Sequence, residues 1–368
     1  MDQNRLSLLA LHFIPGIGDY MIRQLVSYCG SAENVFHTPK GKLQRIPGIG
    51  HITAAGIHSA RPFAAAEAEI LKANKEGARI TFYLDDDYPS RLKAINDAPS
   101  LLYIKGNTDL NASKAVAIVG TRNSTDYGKH CVEELVAGLS PWQPLIISGL
   151  AYGIDIQAHK QALRNNQQTV GVMGSGIDVI YPATHAEVVR KMTSYGGIVT
   201  ENPLGTKPDA HHFPARNRII AGLCDALIVV EAAQRGGALI TADIANSYNK
   251  DVFAFPGNIG RSYSEGCNNL IKSNKAILVT SASDIVYAMN WDVGEPESKK
   301  SFSIALDEYP PEEQTILKLL MDNDQMMIDE LSWRSSLSVS KLASLLLTLE
   351  FKGRVASLPG KVYKLIKP

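Results

Sequence analysis

The residues best equipped for chemistry lie in one short stretch, 211–218, which reads HHFPARNR. Arginine guanidinium groups match the geometry of phosphate oxygens, and an aromatic ring stacks on any nucleic-acid base without reading its identity. The pattern therefore predicts a binding site for a single nucleic-acid strand. The predicted contacts in this stretch are Phe213, Arg216, Asn217 and Arg218.

The two arginines also have a structural interpretation. Glu201 and Glu231 each stand at the end of a short apolar run, where an arginine can form an ion pair with them. Both interpretations can hold together, because different faces of one segment can serve different purposes. The sequence favours the binding interpretation for the stretch as a whole.

Four further glycine-rich segments each follow a short apolar run. Glycines permit tight turns around a ligand, and backbone N–H groups at the start of a helix suit an anion. Arg122 adds a fixed positive charge to the first of these segments. The predicted contacts in the four segments are Gly120, Thr121, Arg122, Gly149, Gly153, Gly174, Gly176, Gly236, Gly237 and Thr241.

Catalytic, metal and cofactor sites are not predicted. The first segment is not the G-x-G-x-x-G fingerprint of dinucleotide binding, so no cofactor is expected. Ser148 and Ser175 lack the G-x-S-x-G elbow of an activated serine. His211 and His212 lack metal-ligand spacing to other histidines or thiols, so no metal is expected.

Three side chains near the glycine-rich segments could serve either the site or the packing of the domain. Asp155 is either a general acid or base, or a cap for the following helix, and capping is favoured. His159 lies one turn later and is interpreted as a packing residue. Tyr181 either stacks on a base or covers the edge of the sheet.

Six short apolar runs position these segments. Helical stretches lie between most of the runs, and each run has Gly, Pro or an acid at or next to its end. Runs that are apolar on both faces and alternate with helices indicate a parallel sheet covered on both sides, hence an α/β, Rossmann-like domain. The runs are residues 115–120, 144–149, 169–174, 196–201, 226–232 and 251–257.

The two ends of the chain form separate modules. FIPGIG at 13–18 and RIPGIG at 45–50 predict two helix-hairpin-helix motifs, whose glycines either pack helices closely or expose N–H groups to a DNA phosphate. The tail predicts three helices and a hairpin that turns at Pro359-Gly360, a winged helix. The predicted domains are 1–62, 63–290 and 307–368, with a linker at 291–306.

Composition predicts a cytoplasmic protein. Thirty-seven Lys and Arg balance 37 Asp and Glu, so any nucleic-acid site must be a local patch. Four cysteines lie far apart in the sequence, which is typical of reduced thiols. The N-terminus lacks a signal-peptide pattern, and no apolar stretch is long enough to span a membrane.

Seven motifs, in order and at this spacing, resemble the DprA/Smf family of DNA-processing proteins. They are YPSRLKAINDAPSLLYIKG, VAIVGTRNSTDYG, IISGLAYGIDIQAH, GVMGSGIDVIYP, HHFPARNRIIAGL, VVEAAQRGGALITA and FAFPGNIG. The resemblance covers nearly the whole chain, including both end modules. It implies a non-enzymatic protein that binds single-stranded DNA in the Rossmann domain, dimerises through that domain and hands the strand to the RecA recombinase in natural transformation. It also implies that Gly120, Arg122, Phe213, Arg216, Asn217 and Arg218 are the DNA contacts.

The sequence departs from the family pattern in two of these loops. Tyr152 stands where the family often has arginine, which removes one phosphate contact, and GGALIT replaces the common SGSLIT, which removes two hydroxyl donors. The recognition segment of the winged helix, SVSKLASLLLTLEF, has one Lys and one Glu. Helices that read a major groove need more donors, so this tail is not expected to read duplex sequence.

Two other functions are compatible with the pattern. Nucleotide phosphoribohydrolases resemble this domain in fold and in phosphate-binding loops, although their PGGxGTxxE segment is absent here. Such an enzyme needs a carboxylate such as Glu231 close to the sugar. A duplex-binding regulator acting through the winged helix and the hairpins is the third hypothesis.

Overall fold

The computed structural model describes residues 2–291, 306, 309–323 and 325–366. Contacts divide the chain into two units, residues 1–67 with 295–368, and residues 68–294. The predicted linker at 291–306 lies outside the described residues except for its two end positions, and the predicted domain boundaries remain predictions.

The described residues form seventeen α-helices and twelve β-strands. The helices are α1 (Gln3–His12), α2 (Asp19–Cys29), α3 (Ala32–His37), α4 (Lys40–Leu43), α5 (His51–Ala60), α6 (Phe63–Lys75), α7 (Ser90–Lys93), α8 (Asp126–Leu139), α9 (Ile154–Arg164), α10 (Ala186–Tyr195), α11 (His212–Leu223), α12 (Gly237–Ser247), α13 (Glu265–Lys272), α14 (Ala282–Ala288), α15 (Pro311–Asp322), α16 (Ile328–Ser335) and α17 (Val339–Phe351). The strands are β1 (Ala78–Phe82), β2 (Leu101–Gly106), β3 (Ala115–Val119), β4 (Leu145–Ser148), β5 (Thr169–Val172), β6 (Gly197–Thr200), β7 (Ala226–Val229), β8 (Asp251–Ala254), β9 (Ile277–Leu278), β10 (Met326–Met327), β11 (Val355–Leu358) and β12 (Val362–Leu365).

A nine-stranded sheet forms the centre of the 68–294 unit, in the order β1-β2-β6-β5-β4-β3-β7-β8-β9. Strand β2 runs antiparallel to both β1 and β6, and all other pairs are parallel. All six predicted apolar runs are strands of this sheet. The predicted α/β class with a mostly parallel sheet is therefore confirmed.

The sheet is covered on both faces, as the apolar runs predict. Along β3, Ala117 and Val119 pack into one hydrophobic cluster, while Val116 and Ile118 pack into another. Successive side chains of a strand point to opposite faces, so the two clusters lie on opposite sides of the sheet. All five residues of β3 are buried, which explains why the run is apolar at every position.

Strand order reverses at β3. Strands β4, β5 and β6 follow on one side of it, and β7, β8 and β9 follow on the other. The loops that leave β3 and β7 therefore diverge above the carboxyl ends of the sheet and leave a crevice between them. The predicted binding segments Gly120–Arg122 and Gly236–Thr241 belong to these two connections.

The N-terminal repeat forms two helix-turn-helix hairpins, α1–α2 and α4–α5. Gly16 and Gly48 hold equivalent positions in the two turns, and both have a φ of 81°. Residues with a side chain rarely adopt this conformation, so the turn requires glycine there. The sequence repeat is therefore a repeat of backbone structure.

The tail forms the predicted winged helix, with α15, α16 and α17 packed against the small sheet β10-β12-β11. Its hairpin turns at the predicted position, where Gly360 has a φ of 85°. The hydroxyl of Ser27 in α2 donates to Asp329 of α16 at 2.8 Å, so the tail contacts the N-terminal helices of its own unit. No helix among the described residues is long and apolar enough to span a bilayer.

Candidate functional site: a cavity at the strand-order reversal

A cavity of about 730 Å³, called the main cavity below, opens where the strand order reverses. Nine of the fourteen predicted contacts line it. They are Gly120, Thr121, Arg122, Phe213, Arg216, Asn217, Gly236, Gly237 and Thr241. Residues from three separate parts of the sequence thus converge on one site.

Helix α11 presents one face to the main cavity. Phe213, Arg216, Asn217 and Ile220 all line it. Their spacing of three, four and seven residues places them on one stripe of an α-helix. A ring, a guanidinium and an amide are thereby held side by side on a rigid element.

Arg218 lies outside the lining of this cavity. It follows Arg216 by two residues, which places it on nearly the opposite face of the helix. Its guanidinium pairs with the carboxylate of Glu201 and donates to the carbonyl of Asp97. Arg218 therefore forms the ion pair with a strand-end acid that the structural interpretation predicts, whereas Arg216 lines the cavity.

Arg216 is more deeply buried than is usual for an arginine. Only 7% of the residue is exposed, and its Nη1 donates to the carbonyl of Val172. The Nε of Arg216 is buried and has no hydrogen-bond partner. Burial lowers the pKa of the guanidinium, and the nearby carboxylate of Asp155 opposes this effect. A buried guanidinium that lines a cavity is suited to an anionic ligand, because the charge of the ligand offsets the cost of burying the cation.

Asp155 is a cavity residue and not the cap that the sequence favours. The N-cap of α9 is Gly153, with no side-chain cap hydrogen bond, and Asp155 lies within the first turn. Its side chain lines the main cavity although the residue is almost fully buried. Burial raises the pKa of this carboxyl to about 6, while the charges of Arg216 and Arg122 act in the opposite direction.

Asp155 is therefore expected to make both stability and binding depend on pH. A carboxyl whose pKa is higher in the folded than in the unfolded state stabilises the fold at acid pH, and this contribution is lost as pH rises from about 4 to about 6. Protonation also removes a negative charge from the cavity, so affinity for a phosphodiester strand should rise as pH falls through 6. We expect Asp155→Asn to lose most of the pH dependence between pH 5 and 7.5 in thermal unfolding and in strand binding.

The comparison with Asp155→Asn removes the contribution of every other titrating group, since those groups are present in both proteins. Identical pH profiles for the wild type and this variant would show that Asp155 does not titrate in this range.

Aromatic side chains form one wall of the main cavity. The Phe213 ring lies 5.8 Å from the Tyr181 ring, at an interplanar angle of 40°. The Arg122 guanidinium lies 5.8 Å from the centroid of the Phe213 ring. Tyr181 lines the cavity and is half exposed, so of its two interpretations the geometry favours stacking on a ligand.

A smaller cavity adjoins the main one and shares Arg122, Tyr181, Phe213 and Arg216 with it. Gly174 lines this side cavity, and a Cβ at that position would lie 3.1 Å from the Phe213 ring. The glycine therefore leaves room for the ring.

Tyr152, which stands where the family often has arginine, also lines the side cavity. Its hydroxyl lies 3.1 Å from the hydroxyl of Thr184, and its ring packs edge-on against His185 at 4.8 Å. The ring thus serves as a wall of the cavity and carries no positive charge.

The predicted glycines Gly149, Gly153 and Gly176 do not line the main cavity. A Cβ on Gly149 would lie 2.7 Å from the guanidinium nitrogens of Arg216, so this glycine makes room for the arginine. A Cβ on Gly176 would lie 2.6 Å from the carbonyl oxygen of Pro203. These glycines support the site through close packing, whereas Gly236 faces open space.

The sequence prediction omitted some cavity residues. Arg235, Asp209 and Ile240 line the main cavity. Arg235 could have been included, because it directly precedes the two glycines at the start of α12. Asp209 lies in an irregular segment, where spacing gives no signal.

Buried histidine and carboxylate groups outside the main cavity have structural partners. The ring nitrogens of His159 lie 2.7 Å from Thr169 Oγ1 and 2.7 Å from the carbonyl of Gly149, and burial lowers its pKa to about 4. The packing interpretation of His159 is confirmed. Glu231 accepts hydrogen bonds from the backbone N–H and the hydroxyl of Thr125, and it does not line the main cavity.

The fold and the cavity together define an α/β domain of the Rossmann type, with a cavity lined by arginine and aromatic side chains where its strand order reverses. The sequence profile of the family described as DNA recombination-mediator protein A matches residues 79–290, and that of the DprA winged helix domain matches residues 304–361. The chain therefore belongs to the DprA (Smf) family of DNA-processing proteins, which act in recombination.

Individual relatives agree with this assignment. Protein Smf of Escherichia coli is 36% identical over 289 residues, which cover 76% of this chain and 75% of that protein. DNA processing protein DprA of Streptococcus pneumoniae is 45% identical over 203 residues, which cover 55% of this chain and 71% of that protein. The X-ray structure of the Streptococcus pneumoniae protein matches with a TM-score of 0.68 and 36% identity, covering 78% of this chain and 98% of that chain.

A second solved structure is that of DNA processing protein A from Helicobacter pylori, which is described in terms of its single-stranded-DNA binding mode. It matches with a TM-score of 0.53 and 28% identity, covering 58% of this chain and 97% of that chain.

Proposed function

We propose that this chain binds single-stranded DNA in the main cavity without sequence preference, protects it and helps to assemble the RecA recombinase on it during DNA uptake and recombination. The observation that carries the proposal is the face of α11, where Phe213, Arg216 and Asn217 line the cavity together with Arg122, whose guanidinium lies over the Phe213 ring. Guanidinium groups bind phosphates and rings stack on bases. Neither contact distinguishes one base from another.

Two further observations support this function. Arg216 brings a buried guanidinium to the main cavity, and the charge of a phosphate there would offset its burial. The related Helicobacter pylori protein is described as binding single-stranded DNA. The carboxylate that a phosphoribohydrolase would need, Glu231, lies outside the main cavity and is held by Thr125, so the geometry favours a binding protein over that enzyme.

We also propose that two copies pair through the Rossmann domain, in the cytoplasm. Strand β9 is an edge strand of the sheet, and the apolar side chains of its two residues, Ile277 and Leu278, are exposed. Tyr287, on α14 of the same domain, is also exposed. An apolar sheet edge exposes unpaired backbone groups together with apolar area, which suits association with a second copy.

The winged helix is proposed to contact protein and not duplex sequence. The lysine of its recognition helix α17, Lys341, is paired with Glu312 of α15. Leu347 and Phe351 of the same helix are exposed. An exposed apolar surface with a neutralised cation is poorly suited to a DNA groove and better suited to a protein partner.

Competition binding tests the proposed function. A labelled dT strand bound to the wild-type protein is titrated with unlabelled homopolymer strands, mixed-sequence strands and duplex. We expect all single strands to compete about equally, duplex to compete poorly, and affinity to fall with added salt as phosphate contacts release counterions. Equal competition by duplex would contradict the proposal and favour a duplex-binding regulator.

A further inference from the structure

A second large cavity lies at the same end of the sheet, outside the site described above. It has a volume of about 770 Å³, and we call it the Tyr263 cavity. Thr125 and Tyr127 come to it from the connection after β3, Glu231 from the end of β7, and Arg261 and Tyr263 from the loop after β8. It is therefore built from the carboxyl ends of three neighbouring strands.

The Tyr263 cavity and the main cavity lie on either side of the same two loops. The loop after β3 supplies Arg122 to the main cavity and Thr125 to the Tyr263 cavity. The loop after β7 supplies Glu231 to the Tyr263 cavity, whereas the next residue, Ala232, lines the main cavity. A ridge only a few residues wide thus separates the two.

Hydrogen bonds fix this ridge. The side-chain amide of Asn123 donates to the hydroxyl of Tyr263 at 3.1 Å. The backbone N–H of Thr121 donates to the carbonyl of Glu231 at 2.7 Å, and that of Ala232 donates to the carbonyl of Tyr263 at 2.8 Å. A ligand that crosses the ridge therefore meets a preformed surface.

The Tyr263 cavity is lined by aromatic, cationic and anionic groups in different places. The ring of Tyr127 is half exposed, and its hydroxyl is anchored to the carbonyl of Pro256 at 2.5 Å. Arg261 is exposed on a turn, with Gly260 beside it at a φ of 81°. The floor carries the buried carboxylate of Glu231. The negative charge of Glu231 repels a phosphate from this floor. An uncharged base with N–H donors can lie there instead, and its phosphate then lies near Arg261.

We propose that the Tyr263 cavity receives the nucleotide that follows those held in the main cavity, with its base against Tyr263 and its phosphate at Arg261. The inference rests on the proposed binding of single-stranded DNA and extends it to a second subsite across the Asn123–Tyr263 ridge. Its direct consequence is that contacts in the Tyr263 cavity contribute only for strands long enough to cross the ridge.

The test measures affinity against strand length. Fluorescence anisotropy is recorded for labelled dT strands of about 4, 8 and 16 nucleotides with the wild type, Arg261→Ala and Tyr263→Ala. We expect both variants to match the wild type on the shortest strand and to bind the longest about five- to a hundredfold more weakly, the range of one stacked base or one phosphate contact. Tyr263→Phe keeps the ring and should restore most of the affinity for the long strand.

The possible failures can be told apart. Affinities that match the wild type at every length, or that fall equally at every length, would overturn the second subsite while leaving single-strand binding itself in place. Failure of the wild type to bind any strand would overturn the proposed function and this inference together. Arg190→Ala, which removes an exposed arginine of α10, is the matched control and should bind all lengths as the wild type does.

Discussion

The double variant Arg122→Ala/Phe213→Ala is expected to bind a labelled dT strand on the order of a hundred- to a thousandfold more weakly than the wild type. Arg122 is an exposed cation at the mouth of the main cavity, and Phe213 supplies the ring beneath it, 5.8 Å away. Loss of a charge-assisted contact costs about 1.5–3 kcal/mol, and loss of a stacked base costs about 1–3 kcal/mol.

The two single variants identify the kind of contact that is lost. Arg122→Ala should reduce the dependence of affinity on salt, because one fewer phosphate is neutralised, whereas Phe213→Ala should leave that dependence unchanged. Their losses should not add fully, since the guanidinium of Arg122 lies over the Phe213 ring.

Two arginines provide controls for this experiment. Arg190→Ala removes a surface charge outside the cavities and should bind as the wild type does. Arg218→Ala breaks the pair with Glu201, so it should lower thermal stability more than affinity. If the double variant binds the strand as tightly as the wild type, the main cavity is not the DNA site.

Gly153→Ala is expected to destabilise the Rossmann domain by about 1–3 kcal/mol or more, and to weaken strand binding as well. Gly153 has a φ of 78° and a ψ of −125°, a combination that residues with a side chain rarely adopt. A Cβ there would also lie 2.6 Å from the carbonyl oxygen of Arg122 and would clash with the carbonyl oxygen of Thr121. The substitution therefore pushes on the loop that carries Arg122.

Gly236→Ala is the matched control for Gly153→Ala. A Cβ on Gly236 meets nothing within 4 Å, and its backbone is extended, so stability should be unchanged. Thermal unfolding and dT binding are measured for both variants. Equal unfolding temperatures for Gly153→Ala and the wild type would show that the loop absorbs the added methyl group.

The sequence predicted the sheet well because its strands are buried on both faces. A run such as AVAIV at 115–119 must be apolar throughout when both sides pack against helices, and no loop or exposed helix needs that pattern. The antiparallel position of β2 and the two-residue strand β9 were not predicted, because strand order and direction depend on contacts distant in sequence.

The prediction of the site was strongest where rigid elements carry it. The stripe Phe213, Arg216, Asn217 and Ile220 follows from helical spacing alone, and the same spacing could have separated Arg216 from Arg218 in advance. The role of Asp155 could not be predicted, because its pKa is raised by burial against the charge of Arg216, and because Gly149 lets Asp155 and Arg216 approach closely. Those contacts exist only in the folded chain.

Photocross-linking tests the central claim most directly. A dT strand containing 5-iodouracil is bound to the full chain and irradiated, and the modified residues are located by mass spectrometry. The account predicts cross-links at Phe213 or Tyr181, whose rings form the aromatic wall of the main cavity. Cross-links confined to the N-terminal hairpins or to the winged helix, with none in the main cavity, would contradict it.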